Sequence, residues 1–338
     1  MRKFFSNPKY QEFFVGAILL ILIFVPRVTD LGLFQAHDEK MRNRQSLESY
    51  LAIIEGDWGD VYSSNFGGTN LTWMRTTAEL LRFGWLRLQG IAVSPAEAVN
   101  YGPEFNPLPN ALFNALIIVI IYWFARKLFG WHLAALATAL LALDPYLLSE
   151  ARILRTEAAL AGFVTLTMLS IAIYAQTRQR RYLVWSGVWS AWTLATKIAG
   201  IFLIPMVGIV LAGMAFWKIR FKLAVVGQQL KRLIVDGLIW ASVTVAVTFA
   251  IWPTLWVKPL QTFADLYHLV VFFGVVSKAD LDMFFMGKII PELPALYYVW
   301  VLLFKTTPLV WLGLGCFAWA MWRIKKTQSD EVEPTWLR

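Results

Sequence analysis

Two adjacent carboxylates follow the first apolar run of the sequence, in the tripeptide His37-Asp38-Glu39. Neighbouring side chains on a helix do not share a face, so one carboxylate can face a cleft while the other binds structure or a metal. A helix N-cap by Asp38, with Glu39 favouring the helix dipole, is the structural alternative. Since the chain has only three histidines, the supply of ligands for a metal site is small.

A second group of charged residues lies between Glu150 and Glu157, at the boundary between two apolar runs. Ionisable side chains near hydrocarbon are costly, at about 2.5–3.5 kcal/mol each in the middle of a membrane helix. Arg152 and Arg155 are three residues apart, and this spacing predicts one helical face that presents two cations to a phosphate at the outer leaflet. Snorkelling of both arginines towards the interface is the alternative.

Two lysines lie at or near the ends of apolar runs. Lys197 follows the fifth run, and Lys305 lies inside or near the eighth. An ammonium group in such a place needs an anion, so each lysine is a candidate ligand of a charged substrate. Each can instead be an interfacial anchor.

The composition excludes a water-soluble protein. Of the 338 residues, 58% are hydrophobic and 16% are charged, whereas soluble domains carry roughly 25% charged residues. The single cysteine, Cys316, has no partner for a disulfide or a cysteine-type zinc site. The sequence has no Walker loop, HExxH motif or nucleophile elbow, so it does not support phosphate-anhydride chemistry or zinc proteolysis.

The apolar runs are long enough to cross about 30 Å of hydrocarbon, which predicts an all-α, polytopic bundle of about eight transmembrane helices. The first run lacks a small-residue cleavage site, so we expect it to be an uncleaved anchor. Only Lys197 and its neighbours separate the fifth and sixth spans, which predicts a tight hairpin or a short re-entrant turn. The predicted spans are 12–33, 108–128, 131–148, 157–176, 182–197, 198–217, 233–257 and 295–322.

The net charge of +9 is explained by membrane topology rather than by a nucleic-acid partner, because basic residues of membrane proteins gather in cytoplasmic loops. This rule predicts cytoplasmic N and C termini, external segments at 27–106 and 258–294, and a cytoplasmic tail at 323–338. Apolar residues recur at helical spacing in 40–55 and 73–90. These two segments are predicted to be amphipathic helices along the membrane surface, or alternatively a small soluble cap.

Several segments together resemble the GT-C membrane glycosyltransferases, in particular the bacterial and archaeal relatives of dolichyl-phosphate-mannose protein mannosyltransferases. The order and spacing of the segments, which cover nearly the whole chain, carry the resemblance. Glu157 departs from the family pattern, which has an aspartate there. The segments are Asp38-Glu39, Glu55-Gly56-Asp57-Trp58, Ala142 to Tyr146, Arg152 to Glu157, Ser186-Gly187 with Thr196-Lys197, Trp252 to Trp256, Phe284 to Gly287, and Phe304 to Leu309.

This resemblance implies one GT-C-like transmembrane domain over residues 1–338, in a prokaryotic inner membrane. It implies an enzyme that transfers a sugar, with inversion, from a polyprenyl phosphate to a hydroxyl acceptor, with Asp38 as the general base. Cofactors and protein metal ligands are not expected, although a divalent cation is compatible with the chemistry. Membrane lipids are expected partners, and the alternative function is a catalytically degenerate subunit of a larger membrane complex. The residues assigned to the donor phosphate or substrate are Glu39, Arg152, Arg155, Glu157, Lys197 and Lys305.

Overall fold

The structure, a computed structural model, describes residues 8–33, 35–36, 38–61, 68–103, 106–216, 223–271, 283–290 and 294–330. Over these residues the chain is almost entirely α-helical, which confirms the predicted all-α class. The helices are α1 Pro8–Val28, α2 Glu39–Glu55, α3 Thr69–Leu88, α4 Leu108–Ala142, α5 Pro145–Ala151, α6 Glu157–Thr177, α7 Arg180–Thr196, α8 Leu203–Phe216, α9 Leu223–Ile251, α10 Thr254–Val257, α11 Pro259–Val271, α12 Tyr297–Lys305 and α13 Pro308–Asp330. Two short 3₁₀ helices, Glu97–Tyr101 and Ile198–Phe202, and two strands, β1 Met283–Phe285 and β2 Lys288–Ile290, complete the described elements.

Fewer helices qualify as membrane spans than the eight that the sequence predicted. Five of the described helices are long and apolar enough to cross a membrane, and a sixth span results if α12 and α13 are taken together. Two physical reasons account for the difference. Helix α4 contains two of the predicted spans, and α7, with 17 residues, is shorter than the ~20 residues that usually cross the hydrocarbon.

Helix α4 is two antiparallel helices joined at Gly130. The backbone there has φ 75° and ψ 169°, which is not helical and which favours glycine. Ala115 and Ala142 belong to one apolar cluster, although a straight helix would separate them by about 40 Å. The chain therefore turns back at Gly130, between the predicted spans 108–128 and 131–148. The second of these ends earlier than predicted, at Ala142.

The largest apolar cluster forms where α7 lies between α6 and α9, with α8 beside them. Its close contacts explain two small residues of α7. A Cβ atom on Gly187 would lie 2.9 Å from the side chain of Val243, and Ser190 accepts a hydrogen bond from the indole of Trp240 at 3.2 Å. Small side chains at these positions thus allow α7 and α9 to pack closely.

The predicted break between the fifth and sixth spans is present at Lys197. The residue is extended, with φ −159° and ψ 142°, and the 3₁₀ helix Ile198–Phe202 leads from it into α8. A Cβ atom on Gly200 would lie 2.7 Å from the carbonyl oxygen of Thr193, so this turn folds tightly onto the end of α7. The break holds the ammonium of Lys197 at the end of the helix rather than on its side.

Between α1 and α4, helices α2 and α3 pack together through polar side chains. Glu79 is buried and forms an ion pair with Arg75, at 2.8 Å, and it accepts a hydrogen bond from Arg82 at 2.5 Å. Arg75 in turn donates to Asn43 of α2 at 2.9 Å. Tyr50 of α2 is also buried. The opposite side of α3 leaves Leu81, Trp85 and Leu88 exposed, by 61–83%. This helix therefore buries its polar face and exposes an apolar one, and its location along the membrane surface stays a prediction.

The chain divides into two compact units, Met1–Leu143 with Leu147–Val275, and Asp144–Tyr146 with Val276–Arg338. In the second unit β1 and β2 pair antiparallel around Met286 and Gly287, whose φ angles of 48° and 81° suit a tight two-residue turn. Helices α12 and α13 also belong to this unit, and their axes are bent by 100° at the short break between Lys305 and Pro308. The candidate span ends at Arg323, one residue after the predicted end at 322, while helix α13 continues to Asp330. Residues 331–338 lie outside the described part.

Candidate functional site

Glu39 is fully buried and binds backbone rather than solvent. One carboxylate oxygen accepts the N–H of Ala36 at 2.6 Å, and the other accepts the N–H of Leu154 at 2.6 Å. The first bond caps the start of α2, and the second ties α2 to the loop between α5 and α6. With both oxygens bound to backbone N–H groups, Glu39 has a structural role, and its binding of substrate stays a prediction.

Asp38 has the opposite environment. Its side chain is 54% exposed. Asp38 occupies the N-cap position of α2, as the structural alternative predicted, but its side chain forms no capping hydrogen bond there. Its carboxylate lies 3.7 Å from the guanidinium of Arg155, which lies 3.6 Å from the carboxylate of Glu150. Arg155 thus bridges an exposed and a buried carboxylate. The exposed one is accessible to an acceptor.

Arg152 and Arg155 do not share a helical face. Helix α5 ends at Ala151 and α6 begins at Glu157, so both arginines lie on a non-helical loop. Arg152 turns away from Asp38 and donates to the carbonyl oxygens of Thr29 at 2.7 Å and Asp30 at 3.2 Å. These bonds tie the loop to the end of α1, and a role of Arg152 in substrate binding stays a prediction.

Glu157 and Lys197 form an ion pair, with 2.8 Å between Nζ and Oε1. The second oxygen of Glu157 accepts the N–H of Thr156 at 3.0 Å, at the N-terminus of α6. Both side chains are about one third exposed, and the pair joins the start of α6 to the end of α7. Helix α3 begins beside this pair, because the N–H of Gly68 donates to the carbonyl of Ala195.

Of two other predicted positions, one belongs to the second unit and one lies outside the described residues. Lys305 belongs to the second unit, where its Nζ lies 5.7 Å from the ring centre of Tyr146. His37, the third member of the considered metal site, lies outside the described residues. Within the described part of the chain, no three histidine, cysteine, aspartate or glutamate side chains are arranged to hold a metal ion.

Sequence reasoning missed Asn110, which shapes the loop that carries Arg155. This buried amide lies near the start of α4 and donates to the carbonyl oxygens of Ala151 and Ile153. A signal was present, because Asn110 and Asn114 are amides four residues apart in an apolar run, where polar side chains are costly. Asn70, which fits a glycosylation sequence, is fully buried and cannot accept a glycan in this fold.

The arrangement offers an exposed carboxylate and two cations at one end of the membrane helices. Asp38 can accept a proton, while Arg155 and Lys197 can bind a negatively charged leaving group. Each of these cations also contacts a carboxylate. An incoming phosphate would therefore share the cations with Asp38, Glu150 and Glu157.

The family model for dolichyl-phosphate-mannose-protein mannosyltransferases matches residues 107–213. This segment contains the loop between α5 and α6 and the pair of Glu157 with Lys197, while Asp38 precedes it. No curated protein matches the chain significantly. This match supports the resemblance of the sequence motifs to the GT-C membrane glycosyltransferases.

Proposed function

We propose that this protein is an inverting glycosyltransferase that moves a sugar from a polyprenyl phosphate to a hydroxyl acceptor at the outer face of the membrane. One observation carries the proposal. The exposed carboxylate of Asp38 lies 3.7 Å from Arg155, on a loop inside the segment that matches the family. A candidate base and a candidate phosphate-binding cation thus lie in one region. In an in-line displacement the acceptor and the leaving phosphate are on opposite faces of the sugar, so we propose that the bound sugar lies between Asp38 and Arg155 and replaces their contact.

In the proposed reaction the acceptor oxygen attacks the anomeric carbon while Asp38 takes the proton of that hydroxyl. The bond from the anomeric carbon to the phosphate oxygen breaks, and the polyprenyl phosphate leaves with the bonding electrons. A single displacement of this kind inverts the configuration at the sugar carbon. Lipid phosphate is a fair leaving group without protonation, so no general acid is needed.

Arg155 and Lys197 would stabilise the charge that develops on the leaving phosphate. Arg155 is favoured because its Nε has no hydrogen-bond partner among the described residues and its contacts with Asp38 and Glu150 are long, at 3.7 and 3.6 Å. Lys197 is held by Glu157, so we propose that this carboxylate positions the ammonium and does not touch the donor. Binding of the donor by Lys305 stays a prediction. Glu39 and Arg152 are left out of the proposed mechanism because their side chains already form hydrogen bonds with backbone groups.

The test is sugar transfer from a polyprenyl-phosphate donor by the purified protein and by Asp38→Asn. Transfer should fall by about 10²-fold or more, because an amide cannot accept the proton. Asp60→Asn is the matched control, since Asp60 is another exposed acidic residue that contacts a cation, Lys258, at 3.2 Å. Undiminished transfer by Asp38→Asn would remove Asp38 as the base.

Donor binding provides a second readout. Arg155→Ala should weaken the affinity for the polyprenyl-phosphate sugar, whereas Lys127→Ala, near the Gly130 turn, should leave it unchanged. Equal affinities of these two variants would exclude Arg155 from the phosphate site.

The alternative is a catalytically degenerate subunit, and one observation favours it. Both candidate cations already contact carboxylates, as they would in a site that holds the fold together. If the wild-type protein transfers no sugar across a panel of donors and acceptors, this alternative gains support and the enzyme proposal fails.

A further inference from the structure

A buried arginine that the proposed reaction does not use lies in the last turn of α1. Arg27 is fully buried, and its Nη1 donates to the carbonyl oxygens of Ile23 at 2.9 Å and Ala142 at 3.1 Å. Its Nε and Nη2 atoms are also buried, yet they have no hydrogen-bond partner in the described part of the chain. Among the described residues, no acidic side chain forms an ion pair with Arg27 within 4.0 Å.

The two unpaired nitrogens form one edge of the guanidinium group. Nε and Nη2 point their N–H bonds in nearly the same direction, which is the geometry that grips an anion with two hydrogen bonds. Since the two carbonyls occupy Nη1, this edge is left for the adjacent cavity. The cavity has a volume of about 40 Å³, and its lining includes Arg27, Asn114, Ile117, Leu141, Ala158 and Thr165.

A buried guanidinium without a counter-ion is costly. The effective penalty for removing one ion from water is several kcal/mol, and breaking a buried ion pair is strongly destabilising for the same reason. The carbonyl of Ala142, at the end of a helix, supplies only a partial negative charge. A full negative charge in the cavity would balance Arg27.

We propose that this cavity binds a small monovalent anion, chloride being the natural one. A volume of about 40 Å³ exceeds the 10–15 Å³ that one water needs, so a halide fits, whereas a lipid headgroup is too large. Water molecules that bridge Arg27 to the unpartnered Oδ1 of Asn114 are the competing occupant. They would satisfy hydrogen bonds but leave the charge uncompensated.

Thermal unfolding of the full-length protein in detergent tests the proposal. The unfolding midpoint should be higher in sodium chloride than in sodium gluconate at equal ionic strength, because gluconate is too large for the cavity. With chloride about tenfold above its dissociation constant, the expected difference is about 2–4 °C. Crystals grown in bromide should also show anomalous scattering beside Arg27.

The difference in unfolding midpoint between chloride and gluconate should vanish in Arg27→Met, which removes the charge. It should shrink in Arg27→Lys, which keeps the charge but loses the edge formed by Nε and Nη2. Arg126→Met is the control, because Arg126 pairs with Glu12 at the other end of α1 and should keep the full difference. Equal midpoints of the wild type in chloride and gluconate would overturn the proposal even if the Arg27 variants do not fold. Loss of the difference in Arg126→Met would do the same.

Discussion

Asp38 is exposed and Glu39 is buried, and this contrast predicts that removing their charges changes the stability of the fold by very different amounts. Glu39→Gln should lower the free energy of unfolding by about 1–3 kcal/mol, because the amide NH₂ group would face one of two buried backbone N–H donors. Asp38→Asn should change it by less than about 0.5 kcal/mol, since Asp38 is exposed and caps nothing. Denaturant unfolding of both variants in the same detergent measures the difference.

Equal losses of stability in the two variants would contradict these assignments. This comparison is independent of catalysis, because it needs no donor or acceptor. It therefore separates the structural role of Glu39 from the proposed role of Asp38 even if no sugar transfer is found.

The sequence predicted that several charged residues lie near one another better than it predicted their contacts. Asp38, Arg155, Glu157 and Lys197 do lie in contacting pairs at one end of the helices. The shared face of Arg152 and Arg155 was wrong because tertiary bonds to the loop carbonyls and to the Leu154 N–H hold residues 152–156 out of a helix. Spacing along the chain cannot reveal such bonds, which join residues more than 40 positions apart.

At the scale of elements, the polar face of α3 depends on one buried carboxylate. Glu79 is shared by Arg75 and Arg82, and burial lowers the pKa of Arg75 while the charge of Glu79 opposes that shift. Glu79→Gln would leave two arginines without their carboxylate, so stability should fall by about 3–5 kcal/mol. The measurement is the free energy of unfolding in denaturant.

Glu48→Gln is the control for Glu79→Gln, since Glu48 pairs with Arg44 at 2.8 Å on the exposed surface of α2. Such an exposed pair contributes about 0.3–0.5 kcal/mol, so the control should be nearly neutral. Comparable losses in the two variants would show that α2 and α3 do not pack through Glu79.

The apolar face of α3 predicts contact with lipid. Spin labels at Leu81→Cys and Trp85→Cys, in a Cys316→Ser background, should be more accessible to oxygen than to a water-soluble nickel complex in a reconstituted bilayer. A label at Arg44→Cys, on the exposed side of α2, should show the reverse order. Preference for the nickel complex at positions 81 and 85 would indicate a soluble cap instead.

Helix positions were more predictable than span numbers. The apolar runs of the sequence predicted where each described membrane helix lies, and most helix ends were correct to within a few residues. This is because a helix that crosses hydrocarbon needs such a run. The extent of α9 was not predicted, since the polar residues at its start did not end the helix at 233. The sharp bend between α12 and α13 was also missed, although Thr307-Pro308 offered a signal that a helix stops there.

At the scale of the whole chain, the contacts agree with an alternating topology. Glu12 at the start of α1 pairs with Arg126 near the Gly130 turn. At the other ends of the helices, Arg27 binds Ala142 and Glu157 binds Lys197. Each pair joins two ends that the predicted topology places on the same side of the membrane. The side that faces the cytoplasm is predicted from the positions of the basic residues.

The positive-inside rule therefore predicts that Asp60 faces the outside and Arg178 faces the cytoplasm. Both positions are exposed, so a cysteine at either one should react readily once a reagent reaches it. Asp60→Cys and Arg178→Cys, each in a Cys316→Ser background, are treated with a membrane-impermeant maleimide in right-side-out vesicles. Asp60→Cys should react at once, and Arg178→Cys only after the membrane is opened with detergent. The reverse pattern would invert the topology, and it would place Asp38 on the cytoplasmic side, away from an external acceptor.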